Sequence, residues 1–248
     1  MDFGGRVALV TGGGRGIGRA TALALARGGA DVLVNYLENE EKANEVVEEI
    51  QAIGRKARAV RADVGVESAV RDMFQRLDRD FGRIDILINN AGTGTLKPLE
   101  EISLDFWNSI LQVDLTGAFL CSKAAAVRMI PKKYGRIVNI SSIGGVNGIA
   151  MDPPYSAAKA GLMGFTKSIA RYLGKYNITV NSVSPGPTDT ELSSKLPEEM
   201  REHVARSSAL GRIATPEDVA DAILFFASDY SRHVTGQMIL VDGGIVMP

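Results

Sequence analysis

The sequence predicts an α/β fold: one doubly wound parallel sheet of about seven strands, with helices on both faces. Three observations carry this. Short β-branched runs alternate with long helical patterns, the runs are nearly continuous in apolar residues, and a glycine-rich turn joins the first run to the first helical pattern. Strands covered on both faces need such runs, and right-handed crossovers then give the doubly wound arrangement. With 248 residues and no linker, repeat or low-complexity tract, the chain reads as one domain over 1–248.

The elements follow in order. A strand over 6–11 leads into a helix over about 17–27, and DVLVNY at 31–36 is the second strand. In the helix over 38–53, Ala43, Val46, Val47 and Ile50 recur at helical spacing. Strands over 56–61, 84–88, 136–141, 178–184 and 237–241 follow, with helices between them. The stretch 185–209 is the least regular, and such a loop in a compact domain is more often a lid or binding loop than an accident.

Apolar residues make up 45% and charged residues 23%, with a formal net charge of −1, so no global pull toward nucleic acid or anionic membrane is expected. The acidic run Glu38, Glu40 and Glu41 reads as a solvated helix face. Cys121 is the single cysteine, which excludes an intrachain disulfide, and it reads as a small buried hydrophobe. His203 and His233 stand apart, with no Cys/His spacing of a metal site. No signal segment and no membrane-spanning stretch is expected, and the predicted location is cytoplasmic.

The first strand enters Thr11-Gly12-Gly13-Gly14-Arg15-Gly16-Ile17-Gly18. Glycines let backbone N–H groups approach a pyrophosphate, which a helix N-terminus favours electrostatically. Strand, turn and helix come in the order that dinucleotide binding needs.

This TG-xxx-G-x-G turn, Asn89-Asn90-Ala91-Gly92, Tyr155-Ser156-Ala157-Ala158-Lys159, Pro185-Gly186 and Val241-Asp242-Gly243-Gly244 occur in that order. Together they resemble the short-chain dehydrogenase/reductase family over essentially the whole chain. The likeness is greatest to 3-oxoacyl carrier-protein reductases and related sugar dehydrogenases. It implies a Rossmann-type sheet and an enzyme moving a hydride between NAD(P) and a carbonyl/secondary alcohol. The expected activity is a ketoreductase of the 3-oxoacyl-reductase type, with a sugar or other alcohol dehydrogenase as the alternative. A non-catalytic cofactor-binding regulator is the less favoured reading, because the Tyr/Lys pair is intact.

By the same resemblance the cofactor lies on Gly12, Gly14, Arg15, Gly16, Ile17 and Gly18, with Asp63 and Val64 near the adenine. Asn90, Ala91 and Gly92 run past the ribose. Asp63 reads equally as a helix cap, and Asn90 as a structural amide. The acidic position that selects NAD falls on Tyr36, and Arg15 could pair with a 2′-phosphate, so NADP(H) is preferred. Glu38, two residues on, keeps use of NAD(H) open as the alternative.

Lys159 lies four residues after Tyr155, on the same helical face. A tyrosine serving as a base near neutral pH needs cationic help, and the lysine supplies it. Lys159 is also expected to hold the nicotinamide ribose. Ser142 is chosen over Ser141 to orient the substrate oxygen. Asp114 stands where many members have Asn; it keeps an acceptor but adds a charge that would draw the lysine's proton. Thr188 and Thr190, after Pro185 and Gly186, are expected at the nicotinamide carboxamide.

The substrate pocket is expected from residues 144–154, 93–97 and a lid over about 188–208, with Met151, Pro153, Pro154, Leu192 and Leu196 as apolar walls. The basic residues that hold an acyl carrier protein fall on Val127 and Tyr176, so a carrier partner is a weak alternative to a small-molecule substrate, despite nearby Arg128, Lys132 and Lys133. A homo-oligomer is expected, a homotetramer before a dimer, with Ala125, Met129, Leu162 and Phe165 as outward apolar residues. The resemblance implies that helices over 115–133 and 155–174 pair across one axis and residues 216–241 across another.

Overall fold

The computed structural model describes residues 1–190 and 198–247. Seven parallel strands form one sheet in the order β3-β2-β1-β4-β5-β6-β7. They are β1 (Val7–Val10), β2 (Asp31–Tyr36), β3 (Ala57–Arg61), β4 (Ile86–Asn89), β5 (Gly135–Ile140), β6 (Ile178–Pro185) and β7 (Met238–Val241). The predicted fold class holds, and strand bounds differ from the sequence reading by one or two residues.

Alternation along each strand divides the core between the two faces. Ala8 and Val10 of β1, with Val32 and Val34 of β2, pack against α1 (Gly16–Arg27), α2 (Glu40–Ala52) and α9 (Pro216–Ala227). Leu9 and Leu33 point the other way, toward α3 (Glu67–Phe81), α5 (Gly117–Met129) and α7 (Pro153–Leu173). β1 is flanked by β2 and β4, so the chain's winding reverses there and a crevice opens beyond the carboxyl ends of β1 and β4.

Four sequence expectations are corrected. The helix predicted from residue 115 begins much earlier: α4 (Leu104–Leu111) runs through a π-helical turn, Gln112–Thr116, into α5. The resulting run Leu104–Lys132 is long and apolar enough to cross a membrane by length and composition, although no such stretch was expected. Within it Cys121, Ala125 and Met129 are fully buried in the chain's own core, while Leu104, Phe119 and Val127 are exposed. Those same burials overturn part of the predicted subunit face. Ala125, Met129 and Leu162 sit in this chain's own core, and Phe119, Val127 and Tyr172 are the large apolar residues exposed on α5 and α7. Finally, Glu38 precedes α2, which Asn39 caps by accepting from the Lys42 N–H at 3.0 Å. The remaining described helices are α6 (Gly144–Asn147) and α8 (Glu198–Ser207).

Candidate active site

The turn after β1 is built around close approach. Gly12 and Gly16 have φ of +60° and +51°, which side chains rarely adopt. Gly18 has no room for a Cβ, which would collide with the Gly12 carbonyl and the Asn90 amide. Asn90 holds the turn in place: its Nδ2 donates to the carbonyls of Thr11 (2.9 Å) and Gly12 (3.1 Å). In return the Thr11 hydroxyl accepts from the N–H groups of Asn90 and Ala91. Asn35 braces the other side, accepting from the Gly12 N–H and donating to the Ala62 carbonyl. Arg15, at the start of α1, makes no capping bond with its side chain, so the first-turn N–H groups face the crevice without a side-chain cap.

That crevice is a cleft of about 490 Å³, within the range of cofactor sites. Gly12, Gly14, Arg15, Gly16, Ile17, Gly18, Tyr36, Asp63, Val64, Asn90, Ala91, Gly92 and Thr190 all line it. Asp63 does not cap α3, whose N-cap is Val66; its carboxylate accepts from the Gly65 N–H at 2.8 Å and fixes the turn beneath the cleft. At the β2 end Tyr36 is half-buried. Burial and a hydrogen bond to Glu40 raise its pKa. Glu38 and Lys42 line the same end. Lys42 and Asn35 were not anticipated as site residues: one lies on a helix read only for its apolar stripe, the other inside a strand.

The far end of the site is charged and buried. Asp114, turned inward by the π-helical turn, is 1% exposed, and Lys159 is 4% exposed. They form an ion pair at 3.0 Å. The second oxygen of Asp114 accepts from the Thr93 N–H, while Lys159 Nζ also donates to the Ile140 carbonyl. Burial works against the lysine's charge, but Asp114 and Tyr155 favour it, and its pKa ends above the ordinary value. So Asp114 makes Lys159 hold its proton more tightly, opposite to the loss considered from sequence. Lys159 Nζ lies 5.3 Å from the centre of the Tyr155 ring.

The serines divide their work. Ser141 donates to the Lys159 carbonyl at 2.8 Å and so fixes the α7 backbone. Ser142 accepts from the Gly144 N–H at 3.0 Å, and its own proton has no acceptor among the described residues. After β6, the Gly186 N–H donates to Val241, and a Cβ at Gly186 would come within 2.6 Å of Asp242 Cβ. The Thr188 hydroxyl is taken up by the Gly186 carbonyl, whereas Thr190 lies over Gly16. Pro185, Gly186, Thr188, Tyr155 and Lys159 stand outside the lining of the cleft. Leu192 and Leu196, with most of the predicted lid's first part, lie outside the described residues.

The sequence model described as enoyl-(acyl carrier protein) reductase matches residues 12–246. A 3-oxoacyl-[acyl-carrier-protein] reductase of Synechocystis sp. is 44% identical over 98% of this chain and 97% of its own length. The chain belongs to the short-chain dehydrogenase/reductase family. Among other relatives, the cis-4-hydroxycyclohexanecarboxylate dehydrogenase of Sinomonas cyclohexanicum is 42% identical over 98% of this chain and 97% of its own. A solved structure from Agrobacterium tumefaciens, described as a gluconate dehydrogenase, superposes with a TM-score of 0.95 at 37% identity, covering 99% of this chain and 98% of that one. This short-chain dehydrogenase/reductase is therefore an oxidoreductase of the ketoreductase type, acting on carbonyl/CH–OH groups with a nicotinamide cofactor. The cleft fits that cofactor: a glycine cradle and an open helix N-terminus meet a negative diphosphate, and Gly92 lets the cleft wall pack directly on the Asp114–Lys159 pair.

Proposed function

We propose that this enzyme transfers a hydride between NADP(H) and a ketone/secondary alcohol, with Tyr155 as acid/base, Lys159 as its cationic partner and Ser142 as the donor that orients the substrate oxygen. The observation that carries the reading is the buried Lys159, held charged by Asp114, one helical turn from Tyr155. A nicotinamide bound in the cleft supplies or accepts the hydride. The protein's part is the proton: Tyr155 gives it to the growing alkoxide, and the nearby ammonium steadies the phenolate left behind. Ser142, with its proton uncommitted, donates to the same oxygen. Asp114 positions Lys159, and the lysine's bond to Ile140 fixes the direction of its remaining protons.

NADP(H) is favoured over NAD(H) because Arg15 and Lys42 border the end of the cleft where Tyr36 replaces a carboxylate. Pro185 and Gly186 carry the backbone toward Thr188 and Thr190, which would hold the carboxamide. A small-molecule substrate is favoured over an acyl carrier protein. Val127 is apolar and exposed, and Arg128 is already paired with Asp78 at 2.6 and 2.8 Å and stacked on Phe74. The enzyme is read as a cytoplasmic homotetramer, with exposed Phe119, Val127 and Tyr172 as the apolar surface a partner would cover. Light scattering giving a stable active monomer would rule that assembly out.

The test is turnover of a panel of ketones, a 3-oxoacyl thioester and hydroxylated ketones, with NADPH and NADH. Oxidation of NADPH with at least one ketone is the expected result. No turnover across the panel with either cofactor overturns the reading.

A further inference from the structure

Asp152 stands just ahead of α7, three residues before Tyr155, and nothing in the proton chemistry above uses it. It is 4% exposed, and its Oδ1 is buried with no hydrogen-bond partner. An aspartate at this place would ordinarily cap the helix, but its side chain makes no capping bond. The nearby cation is not available either, since Lys159 is held by Asp114 and Ile140. Burial pushes the Asp152 pKa up, the Tyr155 backbone N–H lowers it, and the Asp114 carboxylate adds to the rise. Beside that backbone bond, Oδ1 is left without a donor, and a buried acceptor in that state costs free energy that a ligand's donor would recover.

The direction it faces is set by Gly94. A Cβ there would lie 2.9 Å from Asp152 Oδ2 and 3.3 Å from Tyr155 Cδ2. Carboxylate and phenol ring thus lie side by side against Gly94, one of two glycines in this loop. The same loop is tied to the Asp152 wall by the Lys97 N–H, which donates to the Met151 carbonyl at 2.6 Å. The Lys159 ammonium lies 5.3 Å from the centre of the same phenol ring, so a neutral donor suits these surroundings better than a second ammonium.

We propose that Asp152 is a specificity-determining residue that accepts a hydrogen bond from a substrate hydroxyl one or two carbons from the reacting carbonyl. The substrate class is then a hydroxy ketone and, in the oxidative direction, a diol or larger polyol. The assignment rests on the ketoreductase reading and narrows it, because an unsubstituted ketone leaves Asp152 Oδ1 unpaired.

The test compares kcat/KM for 2-butanone, 1-hydroxy-2-butanone and 4-hydroxy-2-butanone with saturating NADPH, in the full-length chain. One hydroxy ketone is expected to be preferred over 2-butanone by about tenfold or more, the scale of a hydrogen bond to a charged group. Asp152→Leu brings that preference to about twofold or less, mainly through KM for the hydroxy ketone. Asp152→Asn, which keeps an acceptor and the shape, retains part of it. The preference is a ratio within one preparation, so a smaller folded fraction does not change it. Turnover of 2-butanone as fast as either hydroxy ketone, or an unchanged ratio in Asp152→Leu, overturns the assignment and leaves the ketoreductase reading standing. Turnover of no ketone with either cofactor overturns both.

Discussion

The two ends of the site are built from different materials. Around β1 and β2 the surface is mostly backbone: glycines, a bare helix start, and two asparagines whose side chains are used to hold the turn. At β5 and α7 it is side chain: a buried lysine, two buried carboxylates and a tyrosine within a few ångströms of one another. A dinucleotide has the same diphosphate whatever is being reduced, and backbone N–H groups recognise it without regard to what else is bound. Proton transfer needs titratable groups whose charge is set by their neighbours. Perturbing the first end should therefore change binding, and perturbing the second should change rate and pH dependence.

The sharpest separation comes from Tyr155→Phe. Removing the hydroxyl is expected to lower kcat by about 10³-fold or more, near the upper range for a positioned acid/base. The Kd for NADPH, from fluorescence titration, is expected to stay within about twofold, because only the proton-donating hydroxyl is removed. Lys159→Ala is expected to damage rate and binding together. If Tyr155→Phe keeps near-normal turnover, the proposed chemistry is wrong.

Asp114→Asn tests the charged end more gently. The carboxylate favours the ammonium of Lys159 and raises its pKa. Without it, burial dominates and the lysine loses its proton at lower pH. The alkaline limb of kcat is expected to move toward acid by about one pH unit or more. The sign for stability is the same: a raised lysine pKa contributes stability that is present below the unfolded value and lost as pH rises through the folded one. Breaking a buried pair costs about 3–5 kcal/mol, and Asn, which still accepts from Thr93, should fall toward the lower figure. Thermal melts at pH 7 and a pH–rate profile check both. An unmoved alkaline limb would show that Asp114 does not set the charge on Lys159.

Legibility in the sequence follows the same division. The glycine turn and the Tyr-x-x-x-Lys pair are local patterns, read from their spacing together with the order of the five motifs that resemble the family. Of the residues expected at the cofactor, Gly12, Gly14 to Gly18, Tyr36, Asp63, Val64, Asn90 to Gly92 and Thr190 line one cleft, whereas Tyr155, Lys159, Pro185, Gly186 and Thr188 do not. What spacing could not give depends on encounters between distant segments. Asn35 acts on a turn more than twenty residues earlier, and Asp152 gains its meaning from Gly94 on another loop. The π-helical turn that aims Asp114 inward has no distinct periodicity to betray it. Apolar residues on α5 and α7 were assigned to a partner subunit because a helical stripe does not say which surface covers it. Here Ala125 and Met129 pack into the core on one face of the sheet, and Leu162 is likewise buried within the chain itself.

At the backbone-built end, cofactor choice is the feature left to a side chain. Tyr36→Asp places a carboxylate where a ribose hydroxyl or a 2′-phosphate would lie, beside Arg15 and Lys42. The ratio of kcat/KM for NADH to that for NADPH is expected to rise by about tenfold, or 1.4 kcal/mol. Turnover limits with saturating cofactor should change far less, since the proton machinery is untouched. A wild type that already favours NADH strongly would remove the premise.

The smallest effect is expected between the two ends, at Cys121. The thiol lies on α5 in a small recess it shares with Thr11, Asn89 and Asp114, so it is the nucleophile nearest both regions. Burial pushes its pKa up to about 12. An acid with a raised pKa stays protonated through the neutral range, and the neutral thiol is the unreactive form. A thiol reagent such as 5,5′-dithiobis(2-nitrobenzoate) at pH 8 is therefore expected to leave the folded enzyme and its activity unchanged for hours, and to label one thiol per chain at once in guanidinium chloride. The proton balance also fixes a sign. Between the ordinary thiol pKa and about 12 the folded state keeps a proton that the unfolded chain has lost, so this residue's contribution to stability falls as pH rises, by at most about 1.4 kcal/mol per unit. Rapid labelling of the folded enzyme at pH 8, with loss of activity, would show that the space between cofactor turn and charged pair is open, and that the two ends are less independent than their construction implies.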